Sequence, residues 1–100
     1  MIDGYLLNMR VFRNVENSKR QALKPLEEAA EIFGAWQECD DMRRSPMLTV
    51  RRGLRNDLID ECMDTVQAAA NMLAAVGATQ GEVDAAIMRM DERNESRGRL

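Results

Sequence analysis

Apolar side chains recur along most of this chain at intervals of three and four residues, the spacing of one face of an α-helix. The pattern predicts four helices, at about residues 2–17, 25–39, 53–76 and 80–93. No stretch alternates between apolar and polar residues for long enough to predict a β-strand. The sequence therefore predicts an all-α fold in which four helices form a bundle.

Local signals mark several of the predicted helix boundaries. Pro25 is disfavoured inside a helix because it lacks a backbone N–H, so the second helix is expected either to begin near it or to be kinked there. Gly77 is suited to the turn that ends the third helix. Thr79 and Glu82 have the spacing of a capping box and predict the start of the fourth helix. The charged stretch 40–52 is expected to be a connector.

The size of the chain predicts a single domain over residues 1–100. Aromatic residues make up only 4%, so the core is expected to consist of aliphatic side chains and some of the eight methionines. A chain of this length buries only about two thirds of its unfolded surface, which leaves a monomer marginally stable. We therefore expect a homodimer or a homotetramer.

Charge and cysteine content exclude several classes of protein. The net charge of −3 gives no general attraction to nucleic acid or to an anionic membrane surface. The two cysteines have neither metal-binding spacing nor the number expected of a disulfide framework, which favours a reducing, cytoplasmic location. The first residues contain no long apolar run, so neither a signal peptide nor a membrane span is expected.

The chain contains no histidine. This absence excludes Ser-His and Cys-His nucleophilic catalysis, imidazole general bases and every histidine-ligated metal site. Any chemistry must use carboxylates, hydroxyls, amides, lysine or arginine. Oxygen ligands of this kind favour hard cations, chiefly magnesium, manganese or calcium.

Two pairs of carboxylates lie on different predicted helices. Glu28 and Glu31 are one turn apart on the second helix, and Glu61 and Asp64 are one turn apart on the third. Each pair flanks an apolar stripe, so antiparallel packing through the stripes would bring the pairs together. Four adjacent carboxylates repel one another unless a cation binds. The alternative that stays open is two solvated acidic helix faces.

The same segments resemble a known signature. Glu27-Glu28-Ala29-Ala30-Glu31, followed by Glu61-Cys62-Met63-Asp64, is similar to the Glu-Glu-x-x-Glu … Glu-x-x-Asp motif of the MazG-like, all-α nucleoside triphosphate pyrophosphohydrolases. The tail 89–99 resembles the end of those proteins, and the resemblance covers about residues 20–99. The sequence departs from the pattern in the long gap between Glu31 and Glu61, and at Arg89, where many relatives have lysine.

The resemblance implies a house-cleaning or phage-type enzyme that hydrolyses ribo- or deoxyribonucleoside triphosphates between the α and β phosphates. The products would be the monophosphate and pyrophosphate. Glu27 and Glu31 would be catalytic, orienting the attacking water or accepting its proton. The ligands of Mg²⁺, or of Mn²⁺ in its place, would be Glu28, Glu31, Glu61 and Asp64.

Five further side chains are candidates for contacts with the substrate: Lys24, Trp36, Asn71, Asn94 and Arg97. The last two follow only from the resemblance, since a solvated chain end is otherwise expected there. Trp36 would stack on a base or cap a seam between helices. Asn71 would touch the nucleotide or be solvated, and Lys24 would contact phosphate or pair with Glu28.

A basic cluster lies in and around the predicted connector, formed by Arg43, Arg44, Arg51, Arg52 and Arg55. These residues would steer the triphosphate or form a solvated loop. Two other functions remain open. One is a non-catalytic helical module that binds a protein partner, and the other, less favoured because the net charge is negative, is a nucleic-acid binder.

Overall fold

The computed structural model describes residues 2–100, which form three α-helices and no strand. The helices are α1 (Lys19–Met42), α2 (Leu48–Ala75) and α3 (Gln80–Ser96). The predicted all-α class is confirmed, whereas the described residues hold one helix fewer than the four predicted. The helix predicted at 2–17 is the one that is absent.

Residues 2–17 follow an extended and irregular path. Gly4, Asn8 and Asn14 are poor helix formers, and a short amphipathic helix needs a partner for its apolar face. Most apolar side chains of this segment are exposed, including Tyr5 and Leu6. The helical spacing of its apolar residues was therefore misleading, because most of these side chains remain in contact with solvent.

Helix α1 begins earlier than predicted. The Ser18 hydroxyl accepts a hydrogen bond from the backbone N–H of Gln21 at 3.2 Å, which is an N-cap that starts the helix at Lys19. Pro25 lies inside α1 rather than at its first turn. The proline leaves one backbone carbonyl without its usual helical donor, yet the helix continues to Met42.

The predicted connector 40–52 is mostly helical, and only residues 43–47 lie between α1 and α2. Charged residues are compatible with an exposed helix face, so polarity alone did not identify a loop here. The break occurs at Pro46, beside which the Ser45 hydroxyl accepts a hydrogen bond from the backbone N–H of Met47 at 3.2 Å. The short connection makes α1 and α2 antiparallel neighbours.

Helices α1 and α2 pack against each other and form a hairpin. Its seam is half-buried and includes Ile32 and Ala35 from α1 with Leu54 and Leu58 from α2. Within residues 2–100, no apolar side chain larger than that of Ala68 is fully buried. The hairpin therefore has a thin core and leaves many large apolar side chains in contact with solvent.

Helix α3 has well-defined ends. The Thr79 hydroxyl accepts from the backbone N–H of Glu82, whose carboxylate accepts from the backbone N–H of Thr79, so the predicted capping box is confirmed. Gly77 takes a φ of 73° in the turn before it, as a helix-ending glycine requires.

Helix α3 packs on neither α1 nor α2. The face predicted to be buried in the bundle is largely exposed, with Ile87 46% and Met90 45% accessible. That part of the prediction is wrong for the single chain. None of the helices within residues 2–100 combines the length and the apolar character needed to cross a membrane.

Candidate metal centre

Three carboxylates converge at the seam of the hairpin. Glu28 and Glu31 project from consecutive turns of α1, and Glu61 projects from the facing part of α2. One oxygen from each lies within 4.8 Å of one from each of the others. The expectation that acidic residues of the two helices meet at the seam is thereby confirmed for these three residues.

Glu61 is the most constrained member of the cluster. Its Oε2 atom is buried and has no hydrogen-bond partner among the described residues. The pKa of Glu61 is raised, first by a hydrogen bond with Glu31, then by burial, and then by the negative charges of Glu31, Asp64 and Glu28. The ionised form of this side chain is therefore disfavoured when no cation is close by.

Glu28 is perturbed in the same direction. Burial is the main cause of its raised pKa, followed by the charge of Glu31, while the nearby Lys24 acts in the opposite sense. Asp64 also raises the pKa of Glu28 by its charge, so it lies near the cluster. Its carboxylate is nevertheless outside the group of three that meet within 4.8 Å.

The residues present fit a hard divalent cation. All donors in the cluster are carboxylate oxygens, which magnesium, manganese and calcium prefer. A cation would neutralise the mutual repulsion and give the orphaned Oε2 atom of Glu61 a partner. The donors come from two different helices, so a bound cation would also hold α1 against α2.

A cavity of about 440 Å³ opens beside the cluster. Its walls come from the N-terminal segment, from the start of α1 and from α2. Glu28 and Asp64 line the side that faces the cluster, and the basic side chains of Arg20 and Lys24 also line it. The cavity therefore combines acidic groups that could hold a cation with basic groups that attract phosphate.

Lys24 and Glu27 form an ion pair, with Nζ and Oε2 3.2 Å apart. Lys24 therefore pairs with Glu27, three residues further along the helix, and not with Glu28, the partner considered from the sequence. Glu27 lies on the exposed side of α1 and is not part of the carboxylate cluster. The predicted catalytic role of Glu27 gains no geometric support, whereas Lys24 lines the cavity as expected for a phosphate contact.

Asn71 is buried rather than solvated, with only 3% of its surface accessible. Its Oδ1 atom accepts hydrogen bonds from the backbone N–H of Phe12 and from Nε2 of Gln67, each at 3.0 Å. Asn71 lines the cavity, but this oxygen is already committed within the protein. Sequence analysis missed Gln67, although its position one turn after Asp64 and one turn before Asn71 was a signal.

Trp36 does not line this cavity. Its indole stacks on the ring of Phe33, with the centroids 6.1 Å apart and an interplanar angle of 12°. It lines a second groove of about 420 Å³ together with Arg43, Arg51 and Arg55. The predicted basic cluster thus lies mainly on helical positions near the hairpin turn.

Asn94 and Arg97 are not brought to the carboxylates within one chain. Asn94 lies in α3, where its Oδ1 atom accepts a hydrogen bond from the Arg99 side chain at 3.3 Å. Arg97 is the C-cap residue that directly follows α3. Since α3 packs on neither of the other helices, these two residues lie apart from the carboxylate cluster within one chain.

Comparisons with protein-family models, with curated proteins and with solved structures gave no match. The resemblance to MazG-like pyrophosphohydrolases therefore rests on the sequence motifs. The convergence of Glu28, Glu31 and Glu61 is an independent observation of the fold.

Proposed function

We propose that this protein is a Mg²⁺-dependent nucleoside triphosphate pyrophosphohydrolase. The observation that carries the proposal is the meeting of Glu28, Glu31 and Glu61 within 4.8 Å at the edge of a cavity. Lys24 and Arg20 line the same cavity and supply positive charge for a polyphosphate. The three carboxylates belong to the segments that resemble the acidic motifs of the pyrophosphohydrolase signature.

In the proposed reaction, water attacks the α-phosphorus and the bond from that atom to the oxygen bridging to the β-phosphate breaks. Pyrophosphate leaves, and the proton of the attacking water passes to a carboxylate, for which Glu31 is placed better than Glu27. Lys24 and Arg20 would bind the phosphates. Mg²⁺, held by Glu28, Glu31, Glu61 and Asp64, would neutralise negative charge on the phosphates.

We also propose that the active form is a homo-oligomer. The chain exposes 8504 Å², whereas a compact monomer of its mass exposes about 5,700 Å². The hairpins of two chains would together form a four-helix bundle, and α3 would pack against the partner. Such an arrangement could bring Asn94 and Arg97 of one chain to the carboxylates of the other.

A second candidate is a non-catalytic helical module that binds another protein. It is favoured by the apolar side chains that α3 exposes, among them Ile87, Met88 and Met90. In both candidates another chain packs against α3: a second copy in the enzyme, and a different protein in the binding module. Only the enzyme turns over nucleotides. A catalytic assay therefore separates them.

The deciding experiment measures pyrophosphate release from a panel of ribo- and deoxyribonucleoside triphosphates with Mg²⁺, Mn²⁺ or EDTA. We expect release that depends on the metal and yields the monophosphate. The variant Glu92→Gln, an acid-to-amide change on α3 outside the cluster, is the matched control and should retain turnover. Absence of release across the panel, from a folded sample loaded with metal, would favour the binding module.

A further inference from the structure

Two hydrogen bonds tie the N-terminal segment to α2, and a third, within α2, links the two side chains that make them. The backbone N–H of Phe12 donates to Oδ1 of Asn71 at 3.0 Å. Nε2 of Gln67 donates to the backbone carbonyl of Arg10 at 2.9 Å and to Oδ1 of Asn71 at 3.0 Å. We call Gln67 and Asn71 together the amide clamp.

The amide clamp is the main attachment of an otherwise exposed segment. Within residues 2–100, no other side-chain hydrogen bond or ion pair joins residues 2–17 to a helix. Burying the polar side chain of Asn71 is unfavourable unless its groups are hydrogen-bonded, so the contact with Phe12 offsets part of that penalty. The clamp holds backbone atoms, so it fixes the path of the segment whatever side chains the segment carries.

This path makes the segment one wall of the cavity beside the metal centre. Phe12 and Asn14 line the cavity, as do Glu28 and Asp64, which belong to the acidic side. A nucleotide whose phosphates lie near the carboxylates would therefore have its nucleoside part near the wall. An aromatic ring and a carboxamide are side chains that stack on bases and hydrogen-bond to them.

We infer that Gln67 and Asn71 are positioning residues that hold segment 10–14 as the wall against which the nucleoside part of the substrate rests. The inference rests on the proposed function, because it needs a nucleotide in the cavity. Gln67 and Asn71 also line the cavity, but in this role they act by holding the segment and take no part in the chemical step. Weakening it should therefore impair recognition of the nucleoside and leave recognition of the phosphates unchanged.

The test uses the full-length chain with the substitution Gln67→Glu. The new side chain has nearly the same shape but lacks the N–H donors, so it presents oxygen to two acceptor oxygens. We expect KM for the nucleoside triphosphate to rise about ten-fold, the change that corresponds to about 1.4 kcal/mol, with kcat nearly unchanged. By NMR, hydrogen exchange of the Phe12 amide should become faster.

Two controls separate positioning from added negative charge. Inorganic tripolyphosphate has no nucleoside, so its inhibition constant should be the same for the Gln67→Glu variant and the unmodified protein. The variant Gln37→Glu makes the same chemical change at an exposed site that does not line the cavity, and it should leave KM unchanged. An equal loss of affinity for tripolyphosphate would overturn the inference, because charge would then explain the result.

A second pair of variants tests the acceptor of the clamp. Asn71→Asp keeps an oxygen where Phe12 donates, whereas Asn71→Leu removes it at similar size. Asn71→Leu should speed exchange of the Phe12 amide and raise KM, whereas Asn71→Asp should leave that exchange slow. If the leucine variant does not fold, Gln67→Glu decides the question, since Gln67 is only half-buried.

The outcomes distinguish this inference from the proposed function. Faster exchange of the Phe12 amide with an unchanged KM would overturn the inference alone. Nucleotide binding that Gln67→Glu weakens, without any turnover in the unmodified protein, would support the inference and contradict the proposed hydrolysis. If the unmodified protein binds no nucleotide, both fail.

Discussion

The α1–α2 hairpin and α3 differ in the interactions that determine their structure. The hairpin is held by packing between two helices and brings three carboxylates together at its seam. Helix α3 has a complete capping box at its start, yet it packs on neither of the other helices. Local sequence signals thus specify α3 as a helix, while the position of the site depends on contacts between helices.

This difference also separates two kinds of functional prediction. Glu28, Glu31 and Glu61 are positioned by the hairpin of a single chain. Asn94 and Arg97 are carried by α3, which packs on neither α1 nor α2, so their predicted roles depend on the proposed assembly. Variants in the two regions should accordingly affect different measurements.

The largest effect is expected from Glu61→Gln in the hairpin. Loss of a ligand charge should reduce turnover at least about 100-fold, since even indirect partners of a metal ligand are often worth 10- to 100-fold. Without metal the same variant should melt at a higher temperature, because repulsion with Glu31, Asp64 and Glu28 is reduced. Turnover and thermal unfolding in EDTA are the two measurements.

Glu92→Gln on α3 is the control for this substitution, and neither measurement should change. Full turnover in Glu61→Gln would contradict the assignment of the metal centre. A lower melting temperature without metal would show instead that the ionised Glu61 stabilises the fold.

A smaller effect is expected from Ile87→Asp in α3. Ile87 is 46% exposed in the single chain, and in the proposed assembly it lies against a partner. Placing a charge there should weaken association about 30-fold, which corresponds to about 2 kcal/mol. Light scattering coupled to size-exclusion chromatography measures the change in mass.

Leu6→Asp provides the comparison, because Leu6 is fully exposed on the N-terminal segment and its substitution should leave the assembly intact. An unchanged mass for Ile87→Asp would mean that α3 does not mediate association. The hairpin alone would then have to account for any oligomer.

The elements that could be predicted from sequence are those with local determinants. The fourth predicted helix begins at Gln80 as expected, because Thr79 and Glu82 need only each other to form the cap. Residues 2–17 could not be predicted, because their path depends on Gln67 and Asn71, more than fifty residues away. Helical periodicity indicates that a segment can form an amphipathic helix. Whether the helix forms depends on the packing partners available to its apolar face.

The site follows the same rule. Helical spacing predicted that Glu28 and Glu31 share a face, and the apolar stripes predicted that this face meets the one carrying Glu61. Spacing could not show that Lys24 pairs with Glu27 rather than with Glu28, because both are within reach along a helix. The cavity was not predictable, since one wall is the irregular N-terminal segment.

The hairpin should also show a distinctive dependence on pH. The pKa values of Glu28 and Glu61 are raised above the ordinary value of 4.5, so the folded chain binds these protons more tightly than the unfolded chain does. The ionised forms of these carboxylates therefore destabilise the fold. This destabilisation is complete above the raised pKa values and disappears as pH falls through them towards 4.5. In EDTA, these two groups should therefore make the protein more stable at mildly acidic pH than at neutral pH.

Urea unfolding midpoints at pH 7 and pH 5 measure this effect in metal-free protein. Glu61→Gln should show a weaker dependence, and saturating Mg²⁺ should raise stability mainly at neutral pH, where protons compete least. The same dependence in Glu61→Gln and in unmodified protein would assign it to carboxylates outside the cluster.

The smallest effects, those of helix caps, compare the two regions most directly. Ser18 caps α1 in the hairpin and Thr79 caps α3, and replacing either by alanine should remove about 1 kcal/mol of helix stability. In the proposed assembly, in which α3 packs on a partner, both variants should lower the free energy of unfolding. In the dissociated Ile87→Asp background only Ser18→Ala should do so, since α3 packs on neither helix of its own chain.

In that background the loss of Thr79 should appear only as faster amide exchange in the first turn of α3. Urea unfolding and hydrogen exchange, measured for each cap variant with and without Ile87→Asp, give the four required comparisons. An equal effect of Thr79→Ala in both backgrounds would mean that α3 unfolds together with its own hairpin. The contrast between a packed hairpin and an unpartnered helix would then not hold in solution, and α3 would have to contact α1 or α2 of the same chain.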